Sequence, residues 1–159
     1  MIEIPLTQGQ IAFIDDEDYE LVKNYKWRAD WSFGMQAFYA RAYFIVINEK
    51  YKHIRMHRLI LGVTDPKIQV DHINHNTLDN RRSNLRICTA SENQYNAGKR
   101  KDSTSGYKNV IWHKGAKKWI ARITVSKKRL HLGLFSTPEE AYKAYCEAAI
   151  RYHGEFAHL

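Results

Sequence analysis

No apolar run of membrane-spanning length, roughly eighteen residues or more, occurs in this 159-residue chain. Cysteine is scarce: Cys88 and Cys146 are the only two, far apart and outside any CxxC pattern. That argues against a disulfide scaffold and a zinc finger, and fits a reducing, cytoplasmic compartment. The N-terminus, MIEIPLTQGQ, lacks a basic segment followed by an apolar core, so no secretory signal is expected. A hydrophobic content of 44%, with 13% aromatic residues, excludes a disordered protein.

Acidic residues are concentrated at the start. Residues 1–40 hold seven acidic and three basic side chains, so the net +8 of the whole chain leaves about +12 for the remainder. A strongly basic body points first to a polyanionic partner, usually nucleic acid. Solubility alone is the plain alternative.

The chain reads as three segments and a linker. Residues 1–56 are rich in strand-forming runs: EIPL, IAFI, FYARAYFIVI and YKHIRMH. Between them DDEDYELVKNYKW has the acidic start and apolar spacing of a helix. In residues 57–97, HRLIL predicts a short helix ending at Gly62. IQVDHI and NLRICT predict strands around the polar loop NHNTLDNRRS, and TASENQYN predicts a helix with a Thr89/Glu92 capping box. Residues 98–104, GKRKDST, contain no apolar residue and read as a basic linker. Residues 105–159 predict strands in YKNVIWH, KWIARITVS and RLHLGLFS, then a helix capped by Thr137, Pro138 and Glu140. Ala141, Ala144, Tyr145, Ala148, Ala149 and Tyr152 form one helical stripe.

Alternation assigns Trp119, Ala121, Ile123 and Val125 to the face under the helix, with Leu130, Leu132 and Leu134 beside them. Arg122, Thr124, Arg129 and His131 then share the outward face, with Lys127 and Lys128 at the turn. A basic sheet face of this kind can enter a DNA major groove, or simply be solvated. SGYKNV, the WIARI core, HLGLF and TPEEAYKAY resemble the Apetala-type, ethylene-response-factor DNA-binding domain over nearly its whole length. The resemblance implies DNA contacts from Lys108, His113, Arg122, Thr124, Arg129 and His131. Ile111, Thr124 and His131 depart from the arginine or tryptophan of plant members, so the plant target sequence is not implied.

The stretch VDHINHNTLDNRRSNL is the most crowded with chemistry. Asn84 lies twelve residues after His72 and Asn93 twenty-one after it. If the two strands pair and the helix packs across them, Asp71, His72, Asn84 and Asn93 converge. A carboxylate and an amide oxygen are hard donors, suited to Mg²⁺ or Mn²⁺. A neutral imidazole can take a proton from water near neutral pH, and Asn84 would orient it or tie the loop. Turn chemistry explains each Asn or Asp singly, and DHxxH could instead hold zinc.

MHRLILG, VDHINHN and DNRRSNLRICTASENQYN together resemble the HNH nucleases of the phage and intron-encoded homing branch, over residues 56–96. The resemblance implies a ββα-metal core with Asp71 and Asn93 as ligands of one divalent metal. His72 is then the general base and Asn84 the middle asparagine. The last motif position is Asn93 rather than histidine, which favours Mg²⁺ or Mn²⁺ over zinc. Arg81, Arg82 and Arg86 are candidate phosphate clamps or solvated loop charges. His57 would touch phosphate or open its helix, and His75 is a further candidate contact.

The expected fold is therefore α+β. A β-rich N-terminal segment supports an HNH core, and a C-terminal three-stranded antiparallel sheet packs on one helix. The expected function is site-specific cleavage of double-stranded DNA by a phage- or prophage-encoded enzyme, with no membrane partner. A monomer would nick and a dimer would cut both strands. A non-catalytic DNA-binding regulator and a sequence-tolerant phage nuclease are the rival readings.

Overall fold

The computed structural model describes residues 1–46, 50–99 and 103–159. They divide into two compact units, Met1–Cys88 and Thr89–Leu159. The division falls inside the segment 57–97 that the sequence delimits as a nuclease core. Ile47, at the end of one expected strand, and residues 100–102 of the expected linker lie outside the described residues.

In the first unit β1 (Ile2–Pro5) pairs antiparallel with β2 (Ile11–Ile14). A three-stranded antiparallel sheet follows, with β4 (Ala37–Val46) between β3 (Trp27–Ser32) and β5 (Lys50–Arg55). Small residues Ala40 and Ala42 on β4 leave room for Ile14, Val22, Trp27 and Met56 to close one core. The helix expected across DDEDYELVKNYKW is only one turn long, α1 (Tyr19–Val22), and Trp27 opens β3 instead. Tyr19 and Leu21 stay exposed, so only Val22 anchors the helix. The Trp27 indole donates to the Val22 carbonyl at 2.9 Å, and its ring is worth more buried opposite Ala42 than on a longer helix. Helix α2 (Met56–Ile60) comes directly after β5, and the chain turns at Gly62 with φ +65.

The expected hairpin forms from β6 (Gln69–His72) and β7 (Leu85–Cys88), with Asp71 opposite Arg86 and His72 opposite Leu85. The long polar loop between them is docked on β2. Phe13 donates its N–H to the Leu78 carbonyl at 2.8 Å, and Asn80 donates to the Phe13 carbonyl at 2.8 Å. A parallel bridge joins Phe13 and Asp79. The N-terminal segment thus supplies the loop with a strand edge, which satisfies backbone groups that burial would otherwise leave unpaired.

The second unit begins with α3 (Ala90–Asn96), whose Thr89/Glu92 capping box is complete. The sheet follows as β8 (Val110–His113), β9 (Lys118–Val125) and β10 (Lys128–Phe135), antiparallel with β9 in the centre. Helix α4 (Pro138–His153) has Pro138 in its first turn and the Thr137/Glu140 capping box. Ala141, Tyr145 and Ala149 pack on Val110, Ala121 and Ile123. Alanine on the helix side allows the close approach.

Two details differ from the alternation rule. The register of β10 shifts between His131 and Gly133, a β-bulge at Leu132. Leu134 therefore lies opposite Ile120 on the outward face rather than inward, and Phe135 takes the inward place. Gly133 has φ +144, and a Cβ there would come within 2.9 Å of the Phe135 ring, so the bulge requires glycine. At the end of α4, His153 is buried and Tyr152 exposed, the reverse of the predicted stripe. His153 gains a partner for its ring there, bonding the Thr124 carbonyl at 2.9 Å.

Candidate active site

His72 ends β6 and is 5% exposed. Its Nε2 lies 3.4 Å from Oδ1 of Asn80, whose own Nδ2 donates to the Leu78 carbonyl at 3.0 Å. That second bond orients the amide, so its oxygen faces the ring. An amide oxygen only accepts, so this contact is a hydrogen bond in the tautomer that carries the proton on Nε2. Burial pulls the His72 pKa below its usual value, while the Asn80 bond and the charges of Asp71 and Asp79 pull it back up. The imidazole is neutral at neutral pH, the state a general base needs.

His57, on α2, is 4% exposed and meets the His72 ring edge-on at a centroid distance of 5.0 Å. Burial drives its pKa well below the usual range, and His72, Arg55 and Arg58 add to the effect. Tyr39 on β4 completes an aromatic cluster, 5.8 Å from His57 and 6.1 Å from His72 between ring centroids. The Arg55 guanidinium sits 4.9 Å above the Tyr39 ring. Burial raises the Tyr39 pKa, so the phenol stays protonated at neutral pH.

Asp71 is 7% exposed and receives Arg86 Nε at 3.0 Å and Nη2 at 2.8 Å on Oδ2. Alternation sends Asp71 and His72 to opposite sides of β6, yet the Asp71 charge reaches both His72 and Tyr39. Among the described residues no group of three or more His, Cys, Asp or Glu is gathered to hold a metal. Asp71 is one hard carboxylate donor, already bonded by Arg86 on Oδ2, and a carboxylate is the donor type that Mg²⁺ takes. Such an ion is often held by one or two carboxylates, with waters and substrate phosphate filling its shell.

Asn84 ties the loop together. Its Oδ1 accepts from the Asn74 N–H at 2.9 Å and its Nδ2 donates to the Asp79 carbonyl at 2.7 Å. Asn74 Nδ2 bonds Asp79 at 2.8 Å, and Asn74 and Asn76 cap the turns that follow them. His75 is exposed at φ +64, its N–H bonded to the His72 carbonyl.

The three arginines of the loop and β7 are all ion-paired within the unit. Arg81 makes a bidentate pair with Asp79, 2.7 Å on both sides, which holds the Asp79 carboxyl below its usual range. Arg82 bonds the buried Asp18 at 2.6 Å and the Ile60 carbonyl at 3.1 Å. Arg86 holds Asp71. Asn80, 0% exposed, is the functional candidate that sequence reasoning passed over. Nothing in its spacing separates it from the asparagines that cap turns.

Asn93 lies in the first turns of α3, in the second unit, half-buried, with its N–H on the Thr89 carbonyl. That unit contains a cavity of about 480 Å³ lined by Lys108, Arg122, Thr124 and Arg129, among others. Four of the expected DNA contacts are thus gathered at one place. Lys108 is the least available of them. Its ammonium donates to the carbonyls of Tyr95 at 2.7 Å and His158 at 3.3 Å, and burial lowers its pKa to about 8. His131 is exposed opposite Arg122, and His113 Nδ1 accepts the Ala116 N–H in its own turn.

A buried imidazole next in sequence to a hard carboxylate, in a basic chain, suits a hydrolase of nucleic acid. Comparison with known proteins agrees. Residues 50–95 match the model of an HNH endonuclease family. An uncharacterized HNH endonuclease of Acanthamoeba polyphaga mimivirus is 30% identical over 158 residues, spanning 94% of this chain and 74% of that protein. Protein 3.8 of Escherichia phage T7 is 31% identical over 78 residues, 49% of this chain and 64% of the phage protein. No solved structure matches. The chain belongs to the HNH endonuclease family, whose members act on DNA and typically use a divalent metal.

Proposed function

We propose that the chain is a site-specific, metal-dependent DNA endonuclease of the homing type, phage- or prophage-encoded and active in the host cytoplasm. The observation that carries this reading is the fixed imidazole. His72 is buried, burial lowers its pKa, and its Nε2 faces the amide oxygen of Asn80. In this reading His72 Nδ1 takes the proton of the attacking water, and Asn84 holds the loop so that β6 ends where the base is needed. Asp71 and Asn93 would hold one Mg²⁺ or Mn²⁺, as the family resemblance implies. The ion supplies charge neutralisation at the phosphate and the departing oxygen. Attack on phosphorus with loss of the 3′ oxygen leaves a 5′-phosphate and a 3′-hydroxyl. One site cuts one strand, so a monomer nicks and a dimer makes a double-strand break.

The second unit is read as an Apetala-type module that docks its sheet on duplex DNA. The three-stranded sheet backed by α4 and the exposed Arg129 and His131 support this. Arg81, Arg82 and Arg86 contribute charge near the site while braced by Asp79, Asp18 and Asp71, and His57 and His75 remain candidate phosphate contacts. The test is nicking of supercoiled plasmid with Mg²⁺ or Mn²⁺, wild type beside His72→Ala. Loss of nicking by about 10²–10⁴-fold in the variant is expected. Equal nicking by both proteins would defeat the assignment, as would none by either on varied targets.

A further inference from the structure

The outward face of the β8–β10 sheet is not uniformly polar. The β-bulge at Leu132 turns Leu134 outward, opposite Ile120, which in turn lies opposite Ile111. These three make one apolar row straight across the sheet. Ile120 is 3% exposed in the middle, while Ile111 and Leu134 are 44% and 41% exposed at its ends. On one side of the row lies His113 opposite Lys118, and on the other Arg122 opposite His131, followed by Thr124 opposite Arg129. From Val110 to Phe135 there are seven Lys or Arg and no Asp or Glu.

This pattern has the dimensions of one partner. Lys118 and Arg122 are four positions apart on β9, roughly 13 Å along a strand. A B-DNA major groove is about 12 Å wide, with phosphates at both edges and base edges on its floor. Cations at the two margins would meet phosphates while the apolar row faces the bases. The apolar group on that floor is the thymine 5-methyl. Ile111 and Leu134 stand two strand spacings apart, about 10 Å, which spans about three base-pair steps.

We infer that Ile111 and Leu134, the exposed ends of the row that Ile120 joins, read thymine methyl groups in the major groove of the target, setting a preference for T within about three adjacent base pairs. The inference rests on the reading of the second unit as a sheet that docks on duplex DNA. It concerns what that sheet recognises, not whether it binds.

The experiment uses the full chain without divalent metal and two randomised duplex libraries. One is built with thymine and the other with uracil, which lacks only the methyl. Bound DNA is sequenced, and affinities of enriched duplexes are measured as a function of salt. Enrichment of T at neighbouring positions is expected in the first library and its loss in the second. Replacing one T by U in an enriched duplex should weaken binding about fourfold, the worth of one buried methyl. Ile111→Ala with Leu134→Ala should bind both duplexes alike and keep the salt dependence. Both residues are exposed, so the fold should tolerate the change. Identical enrichment in the two libraries overturns the inference and leaves the docking reading standing. Undiminished binding by Arg122→Ala with Arg129→Ala, or no retention of either library by wild type, overturns the docking reading and the inference with it.

Discussion

Asn80 Oδ1 faces His72 Nε2 at 3.4 Å, and the amide is held that way by its bond to Leu78. The pair is carried by the loop that hydrogen-bonds Phe13 of β2, so the geometry of the candidate base depends on the N-terminal hairpin. Asn80→Ala should lower the nicking rate about 10- to 100-fold, the usual effect of removing a partner that orients a working histidine. Asn80→Asp keeps an acceptor and should retain more activity than Asn80→Ala, with the acid limb of the pH–rate profile moved upward. Equal rates for wild type and Asn80→Ala, both folded by circular dichroism, would remove Asn80 from the mechanism.

The buried histidines make the first unit sensitive to acid. The folded-state pKa of His57 lies below the usual 6.5, chiefly through burial, and that of His72 is lowered too. Below pH 6.5 the unfolded chain binds protons that the folded chain refuses. The stabilisation is therefore complete above that pH and is lost as pH falls toward the folded-state values. The slope should be up to about 1.4 kcal/mol per pH unit for each such histidine. Urea unfolding between pH 7.5 and 5, a range of about two and a half units around the histidine value, should show the slope. His57→Phe should flatten it. A slope unchanged in that variant would assign the acid sensitivity elsewhere.

Arg82 is expected to act on stability more than on DNA affinity. Its guanidinium bonds Asp18, whose side chain is 1% exposed, and the Ile60 carbonyl. Arg82→Ala strands a buried carboxylate and should cost about 2–3 kcal/mol. The salt slope of DNA binding should match wild type, where losing one phosphate contact would make it shallower by about 0.9. A stable Arg82→Ala protein with a clearly shallower slope would instead make Arg82 a phosphate clamp.

The β9–β10 hairpin turns through Ser126 at φ +48 and Lys127 at φ +65, the two-residue turn with both centres left-handed. Glycine has no steric penalty there. Lys127→Gly should stabilise the second unit by about 0.5–1 kcal/mol, after the loss of its own chain entropy. Thermal unfolding checks this, and a lower midpoint would mean the Lys127 side chain makes a contact worth more than the strain.

How much was legible in advance varies with the range of the interaction. Both capping boxes formed where Thr89/Glu92 and Thr137/Glu140 predict them, because a cap needs only four neighbouring residues. The β6–β7 hairpin formed because the apolar runs on either side of the polar loop can pair only with each other. The one-turn α1 was not legible. Its periodicity is shared with a strand start at Trp27, and only the packing of that indole against the Ala42 register decides between them. Leu134 was misplaced for a similar reason. Strict alternation holds until a bulge inserts one residue, and the glycine that permits the bulge also has other uses.

For the site, the sequence alone picked out the candidates, Asp71, His72, Asn84 and Asn93 at a family's spacing, followed by an acid-free basic sheet. The tertiary structure decided which of the loop's many amides serves the histidine. Asn80 is drawn inside by the Phe13 strand edge, while Asn74, Asn76 and Asn84 are used by turns. That choice depends on a contact between positions 13 and 80. Local spacing records nothing of it, because the free energy that selects Asn80 comes from satisfying a backbone donor and acceptor more than sixty residues away.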